Sequence, residues 1–149
     1  MGEFIGFLDA DDLWMPDKLR LQMEAFAADR DLALVSGLVE QFVTPGLERR
    51  YSIPEVPQEG YSTIAVLVKR SALEGIGGFR QETQTAETIA WFVQLAELGV
   101  SMRVLPYLVA RRRIHGENAT LRNRAEKDRN MIRILKRAIE KKRAEGKGT

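Results

Sequence analysis

The sequence predicts an α/β fold in which helices cover a sheet and a long C-terminal helix follows. One observation favours this class, and a second indicates the size of the domain. Short apolar stretches rich in aromatic and β-branched residues alternate with stretches whose apolar residues recur at helical spacing. The length of 149 residues also suits one domain with a sizeable core.

The first two predicted elements surround an acidic stretch. Residues 3–8, EFIGFL, are apolar and bounded by a glycine and by carboxylates, which predicts a buried strand ending at Asp9. A helix is expected next, with Pro16 at its first position, where a missing N–H is harmless. Its buried stripe is expected to comprise Leu19, Met23, Phe26 and Ala27.

The middle of the chain predicts two more strands, at residues 33–43 and 63–70. The connection at 44–60 holds three of the five prolines, so we expect a loop or a ragged hairpin there. Residues 71–79 predict a short helical turn that is stopped by glycines.

The last part of the chain predicts a helix, a strand and a second helix. Residues 85–99 carry apolar side chains at helical spacing and end at Gly99, the residue type favoured just after a helix. Residues 101–113 predict a strand in which Pro106 indicates an edge position or a bulge. A long basic helix is expected from 121 to 145. Its apolar face is expected to contain Leu121, Ala125, Ile132, Leu135 and Ile139.

The composition excludes several classes of site. The chain has no cysteine, so it has no disulfide, thiolate metal site or cysteine nucleophile, and this fits a reducing compartment. No apolar stretch approaches the roughly 20 residues of a membrane span. The N-terminus turns acidic too early for a secretory signal. A cytoplasmic location is therefore expected, with peripheral contact to a membrane left open.

The net charge of +2 hides an asymmetry along the chain. Residues 1–99 contain 16 acidic and 8 basic residues, whereas residues 100–149 contain 5 acidic and 15 basic ones. This pattern favours a cation site in the first part. For the second part it favours an anionic partner or simple solvation.

Three carboxylates, Asp9, Asp11 and Asp12, follow the first predicted strand within four positions. Capping of the next helix is one explanation, because Asp favours helix N-termini. A divalent-metal site is the other, since Mg²⁺ and Mn²⁺ bind carboxylate oxygens and usually take one or two of them plus substrate phosphates. Asp9 and Asp11 can converge on one ion, which leaves Asp12 to cap the helix.

Four segments resemble, in order, parts of family 2 glycosyltransferases with the GT-A fold. The family has a strand ending in a D-x-D element and a helix, then a strand with a G-G-F-D/R segment on the acceptor side. An E-D-x-D-x-x-x-R-L-x-x-x-G helix and a closing Y-R-x-H-x-x-N-x-S follow. The similar segments here are EFIGFLDADDLWMPDKLRLQ (3–22), VLVKRSALEGIGGFR (66–80), ETIAWFVQLAELG (87–99) and RRRIHGENAT (111–120).

The resemblance implies a partial GT-A domain at residues 1–120, with a mixed sheet flanked by helices, and a basic helix and tail at 121–149. It implies inverting sugar transfer from a nucleotide-diphospho-sugar donor to an unknown acceptor. The implied roles are as follows: Asp9, Asp11 and His115 hold Mn²⁺ or Mg²⁺, Arg113 and His115 contact the diphosphate, and Glu87 is the general base.

The chain departs from the family pattern in two respects. Thr88 stands where the second acid of the E-D pair usually acts as the base, and Ala90 and Gln94 replace an Asp and an Arg of the same helix. The nucleotide-binding half that precedes the D-x-D in the family is expected to be missing. That absence would leave strand 3–8 with an open edge, so we expect a homo-oligomer. The alternative function is an inactive, truncated transferase that serves as an oligomeric, membrane-binding or partner-binding module.

Several residues have structural as well as functional explanations. Trp91 and Phe92 are expected in the core rather than as a platform for a sugar, whereas Trp14 suits either role. The neighbours Arg111 and Arg113 are expected to face the same way on their strand. We expect the basic C-terminal helix to pack on its own domain, with attachment to a membrane surface as the alternative. Nucleic-acid binding is not expected, because no recognised module is present.

Overall fold

A six-stranded mixed sheet flanked by helices organises the chain in the computed structural model, which describes residues 2–78, 87–115 and 124–145. The predicted α/β class and partial GT-A architecture are confirmed. The strands are β1 (Phe4–Gly6), β2 (Leu13–Trp14), β3 (Leu34–Val43), β4 (Gln58–Glu59), β5 (Leu67–Lys69) and β6 (Met102–Ile114). The helices are α1 (Lys18–Ala28), α2 (Arg70–Ile76), α3 (Glu87–Glu97) and α4 (Arg124–Glu145), with 3-10 turns at Glu48–Arg50 and Thr63–Ala65.

The strand order β1-β5-β3-β6-β2 places the two strands nearest the acidic stretch at opposite ends of the sheet. The strands β3 and β6 run parallel, and the β1–β5, β5–β3 and β6–β2 pairs are antiparallel. The short β4 pairs with β3 inside the region expected to be a loop or ragged hairpin. Within the described residues β1 pairs only with β5.

The centre of the sheet is irregular where Pro106 interrupts β6. The register passes from Ser36 opposite Val104 to Leu38 opposite Leu108, so β6 uses extra residues there. This is the bulge expected at the proline, and it lies inside the sheet rather than at an edge. Between these pairs Gly37 lies against β6 so closely that an added Cβ would stand 2.5 Å from a methyl carbon of Val109.

The sheet has two covered faces, because successive side chains of a strand point to opposite sides. On one face Leu34 and Val68 pack with Trp91 and Leu95 of α3. On the other, the neighbouring positions Val35 and Leu67 pack with helix α1. A third cluster lies beneath the acidic stretch and comprises Val39, Ile64, Ala65, Val109 and Ala110.

Helix α1 buries a different face from the one that the sequence predicted. It begins at Lys18 rather than at Pro16, and its buried residues are Lys18, Gln22, Ala25 and Phe26. Of the predicted stripe Leu19, Met23, Phe26 and Ala27, only Phe26 is buried. The prediction was wrong because the inner face of α1 covers main-chain carbonyls as well as apolar side chains, and those carbonyls require polar partners.

Helix α4 packs against α3, as expected for a helix that docks on its own domain. The expected apolar face is not the docked one, since Ile132, Leu135 and Ile139 remain about half exposed. Leu121 lies outside the described residues. None of the described helices is long and apolar enough to cross a membrane. The expected domain boundary at residue 120 falls in 116–123, which also lies outside the described ranges.

Candidate functional site

The acidic turn, residues 7–14, follows β1 and includes the two-residue strand β2 at its end. A backbone hydrogen bond from the Asp12 N–H to the carbonyl of Asp9 (3.2 Å) closes its centre. Strand β2 then pairs antiparallel with β6, with Leu13 opposite Arg111. This pairing carries the three carboxylates to the carboxyl end of β6, next to the carboxyl end of its parallel neighbour β3. Ligands of α/β proteins tend to bind at such an edge.

Asp12 is a structural anchor for the turn. The residue is 7% exposed, and its Oδ1 accepts a hydrogen bond from the backbone N–H of Arg113 at 2.8 Å. Burial raises the pKa of Asp12, opposed by that hydrogen bond and reinforced by the charges of Asp11 and Asp9. The expectation that Asp12 caps helix α1 was wrong, because Asp17 occupies the N-cap position and Asp12 is committed to β6.

Asp11 and His115 are in direct polar contact within the candidate site. Asp11 Oδ2 lies 2.8 Å from His115 Nε2, and the carbonyl of Asp11 accepts a hydrogen bond from Arg113 Nε at 3.0 Å. The hydrogen bond from His115 lowers the pKa of Asp11. Asp11 and His115 of the predicted metal set therefore lie together with Arg113, the predicted phosphate contact.

Asp9 completes the predicted metal set, but it differs from the part-buried pair of Asp11 and His115 in its exposure. Its side chain is exposed. In the described ranges no group of three or more His, Asp or Glu side chains is arranged to hold a metal ion. The donors fit a hard cation with one or two protein carboxylates and further oxygens from a phosphate ligand, rather than a cation held by protein alone. The metal roles of Asp9, Asp11 and His115 stay predictions.

Two arginines of β6, together with a glutamate and a phenylalanine of β3, continue the site along these two strands. The guanidinium carbons of Arg111 and Arg113 lie 4.8 and 4.7 Å from the ring centre of Phe42, so these two arginines share a face as expected. Arg111 Nε also donates to Glu40 Oε2 at 2.7 Å. Sequence reasoning missed Phe42 and Glu40, because only the parallel register brings them opposite Arg113 and Arg111.

Helix α3 presents its predicted residues in two ways. Glu87 is its first residue and is exposed, whereas residues 79–86, which include part of the G-G-F segment, lie outside the described ranges. Trp91 and Phe92 are buried in the core, as expected. Gln94, which stands where the family pattern has an arginine, donates a hydrogen bond from Nε2 to the carbonyl of Ile76 at 2.8 Å. The role of Glu87 as a base stays a prediction.

Trp14 at the end of the acidic turn forms, with Lys18 and Gln22 of α1, a polar network that was not predicted. Trp14 Nε1 donates to the carbonyls of Phe7 (3.2 Å) and Ile64 (3.1 Å). Lys18 Nζ lies 4.7 Å from the indole ring centre and donates to Gln22 Oε1 at 2.6 Å. The signal available in the sequence is the spacing of four between Trp14, Lys18 and Gln22, which repeats once per helical turn.

Comparison with known proteins agrees with the resemblance. The family model described as "Glycosyl transferase family 2" matches residues 1–84. A chondroitin synthase of Pasteurella multocida (strain Pm70) is 25% identical over 149 residues, which cover 95% of this chain and 15% of that protein. A hyaluronan synthase of Pasteurella multocida is 24% identical over 145 residues, which cover 93% of this chain and 15% of that protein. The chain therefore spans about 15% of the length of each of these relatives.

Proposed function

The chain belongs to glycosyl transferase family 2, and from this premise we propose that it takes part in inverting sugar transfer from a nucleotide-diphospho-sugar, with Mn²⁺ or Mg²⁺ at the acidic turn. The observation that carries the proposal is the contact of 2.8 Å between Asp11 and His115. It brings the D-x-D element next to the histidine of the closing segment, and Arg113 lies between them in the sequence and beside them in space.

The donor diphosphate is the group that this arrangement suits. Asp11 and Asp9 would supply carboxylate oxygens to a divalent ion, which would offset the charge that develops on the departing nucleoside diphosphate. Arg113 is held by Phe42 and by the carbonyl of Asp11, so its guanidinium is fixed in orientation beside the turn. A fixed guanidinium is well suited to a phosphate, because its planar donors match the phosphate oxygens.

Glu87 is the proposed general base. In the reaction the acceptor oxygen bonds to the anomeric carbon, the bond from that carbon to the diphosphate oxygen breaks, and the hydroxyl proton passes to the carboxylate. Glu87 is exposed at the first position of α3, where its carboxylate is accessible to a substrate and is favoured by the helix dipole. Thr88, the residue after it, has no carboxylate to offer.

Calorimetric titration of the purified chain tests the donor site. UDP and GDP are titrated in the presence of Mn²⁺ and again with EDTA, first for the wild type and then for Asp11→Asn. The matched control is Asp31→Asn, which removes one exposed carboxylate outside the turn.

We expect metal-dependent heat with one of the two nucleotides for the wild type and for the control, and at least a tenfold loss of affinity for Asp11→Asn. Heat that persists in EDTA, or that is equal in Asp11→Asn and wild type, would contradict the proposed metal site. Glu87→Gln then separates the roles, because it should abolish transfer and leave nucleotide binding unchanged.

A second candidate function is docking on an anionic membrane surface through α4, and one observation favours it. The half-exposed apolar side chains of Ile132, Leu135 and Ile139 lie beside the exposed Lys136 and Arg143. An apolar stripe flanked by cations is the pattern of helices that lie in the interface of anionic lipid. A second copy of this chain suits the stripe less well, since two such basic helices repel each other.

Vesicle co-sedimentation tests this second function. The chain should sediment with vesicles that contain phosphatidylglycerol and remain in solution with pure phosphatidylcholine. Replacing the three apolar residues of the stripe by serine should abolish sedimentation. Equal sedimentation by the serine variant would exclude docking through the stripe, and size-exclusion chromatography with light scattering would report a homo-oligomer instead.

A further inference from the structure

Lys18 is a completely buried cation whose charge no carboxylate balances among the described residues. Its Nζ donates to Gln22 Oε1 at 2.6 Å, to the carbonyl of Val66 at 3.1 Å and to the carbonyl of Ala65 at 3.4 Å. A lysine ammonium has three donors, and these three neutral oxygens use them all. Burial lowers the pKa of Lys18 to about 8, so the group is still protonated at neutral pH.

A buried, unbalanced charge is costly, and an apolar side chain of similar volume normally serves a core better. The position of Lys18 therefore calls for a role that a methionine could not fill. Gln22 completes the arrangement from the next turn of α1, because its Nε2 donates to the carbonyls of Ala65 (2.7 Å) and Val35 (3.0 Å). The helix is thus fixed by polar bonds to the segment just before β5.

The ammonium also lies over the indole ring of Trp14. Nζ lies 4.7 Å from the centre of the indole ring, a cation–π distance, and the ring is packed so tightly on β1 that a Cβ on Gly6 would lie 3.0 Å from it. The indole is therefore in contact both with the ammonium of Lys18 and with β1 at Gly6, a position that has no side chain.

Trp14 in turn closes the acidic turn. The indole N–H at the last residue of the turn donates to the carbonyl of Phe7 at its first residue (3.2 Å), and it also reaches the carbonyl of Ile64 (3.1 Å). The segment that carries Asp9, Asp11 and Asp12 is thereby a loop whose two ends are tied through one ring. The orientation of that ring decides whether the tie is made.

We propose that Lys18 is a positioning residue for the acidic turn: its buried ammonium fixes the indole of Trp14, and the indole ties the two ends of the turn together and packs on the cluster that includes Val109 and Ala110 of β6. The purpose of this positioning rests on the proposed donor site, but the positioning itself involves no ligand. It can therefore be tested without metal or nucleotide, and its success or failure is independent of the calorimetric result.

Hydrogen exchange followed by NMR provides the test. The chain has two tryptophans, so two indole N–H signals are expected, and Trp14→Phe assigns them. The reporters of the turn are the Trp14 indole N–H, the Asp12 amide bonded to Asp9, and the Arg113 amide bonded to Asp12. The Trp91 indole, buried in the core on α3, reports general loosening.

The variant is Lys18→Met, and the matched control is Lys69→Met. Lys69 also donates to a main-chain carbonyl, that of Arg30 at 2.6 Å, and also lies over an aromatic ring, that of Phe26 at 5.8 Å. The control therefore removes the same kinds of contact away from the acidic turn. We expect Lys18→Met to speed exchange at all three turn reporters at least tenfold while exchange at Trp91 stays within twofold, and we expect Lys69→Met to leave the reporters unchanged.

Gln22→Ala keeps the test decisive if Lys18→Met does not fold. It removes one acceptor of the ammonium without touching Trp14, so it should speed exchange at the same reporters by about threefold. Unchanged exchange at the turn in a folded Lys18→Met or Gln22→Ala variant would overturn the proposal. Equal acceleration at the turn and at Trp91 would overturn it as well, because Lys18 would then only stabilise the fold.

Discussion

Asp11 and His115 lie 104 positions apart in the chain, yet Oδ2 of the first is 2.8 Å from Nε2 of the second. The contact exists because two strand pairings act in series. The antiparallel pairing of β2 with β6 places the acidic turn beside the carboxyl end of β6. The parallel pairing of β6 with β3 holds that end of β6 in the sheet. The site is therefore a product of register, and a slip of one residue would separate the pair.

Removal of the histidine should change the acidity of its partner. We expect His115→Ala to raise the pKa of Asp11 towards its ordinary value of 3.8, because the hydrogen bond that lowers it is lost. A lowered pKa means that the contact stabilises the fold above that value, and that this stabilisation disappears as the pH falls through the pKa of the folded state. The contribution should stay below about 1 kcal/mol, since Asp11 is 38% exposed.

Titration of the Asp11 carboxyl carbon by ¹³C NMR measures this shift. His115→Gln is the control, because its amide can still donate to the carboxylate and should retain part of the effect. An Asp11 pKa that is the same in wild type and His115→Ala would show that the contact does not form in solution.

Asp12 offers a contrast between charge and hydrogen bond. Asp12→Asn keeps the Oδ1 acceptor for the Arg113 amide and removes a charge that burial disfavours, so stability at pH 7 should be equal to or above that of the wild type. Asp12→Ala leaves that amide without its acceptor and should lower the free energy of unfolding by about 1–3 kcal/mol.

Urea denaturation at pH 7 and at pH 4 measures both Asp12 variants. A raised pKa in the folded state means that the carboxylate costs stability as the pH rises through that pKa. Any advantage of Asp12→Asn should therefore shrink as the pH falls from 7 to 4, because the wild-type carboxylate binds a proton more readily in the folded chain than in the unfolded chain. A loss in Asp12→Asn as large as that in Asp12→Ala would contradict this account.

Lys18 should make the stability of the fold depend on alkaline pH. Its pKa is lowered from 10.5 to about 8, so between these values the unfolded chain binds the proton that the folded chain has released. The free energy of unfolding should rise across this window, by a total on the order of 3 kcal/mol.

The difference in stability between wild type and Lys18→Met isolates this contribution, because the other titrating groups are common to both. The difference should be constant below about pH 8 and should move in favour of the wild type up to pH 10.5. Parallel pH profiles of the two proteins would contradict a depressed pKa at this site.

Two glycines should respond in opposite ways to alanine. A Cβ on Gly37 would stand 2.5 Å from a Val109 methyl carbon and 2.9 Å from the Tyr107 carbonyl, so Gly37→Ala should cost about 1–3 kcal/mol. Gly75 lies in α2 with nothing within 4 Å of its added Cβ, so Gly75→Ala should stabilise by up to about 1 kcal/mol. Thermal unfolding of both variants checks the pair, and a harmless Gly37→Ala would mean that the bulge relaxes.

Local patterns in the sequence predicted most of the fold. Strand β3 and the end of α3 near Gly99 depend on apolar runs and a left-handed glycine (φ +64°), which are properties of neighbouring residues. The buried face of α1 could not be predicted in this way. Lys18 and Gln22 are buried because carbonyls from residues 65 and 66 face them, and no periodicity within the helix records those partners.

The residues of the candidate site were likewise predicted only in part. The acidic cluster is visible in the sequence as three carboxylates after a strand, and its likeness to a family suggested His115 and Arg113. The partners Phe42 and Glu40 were not foreseen, because a parallel pair joins residues that are far apart in sequence and its register has no local signature.

The pairing of the acidic turn with the end of β6 also determines when the site comes into being during synthesis. A ribosome that adds about 5–20 residues per second delivers His115 roughly 5–20 s after Asp11. During that interval the nascent turn has neither the histidine nor the Arg113 amide to offset its three negative charges. The carboxylates are thus made before the residues that contact them, and they acquire these partners only when β6 has been made and can join the sheet.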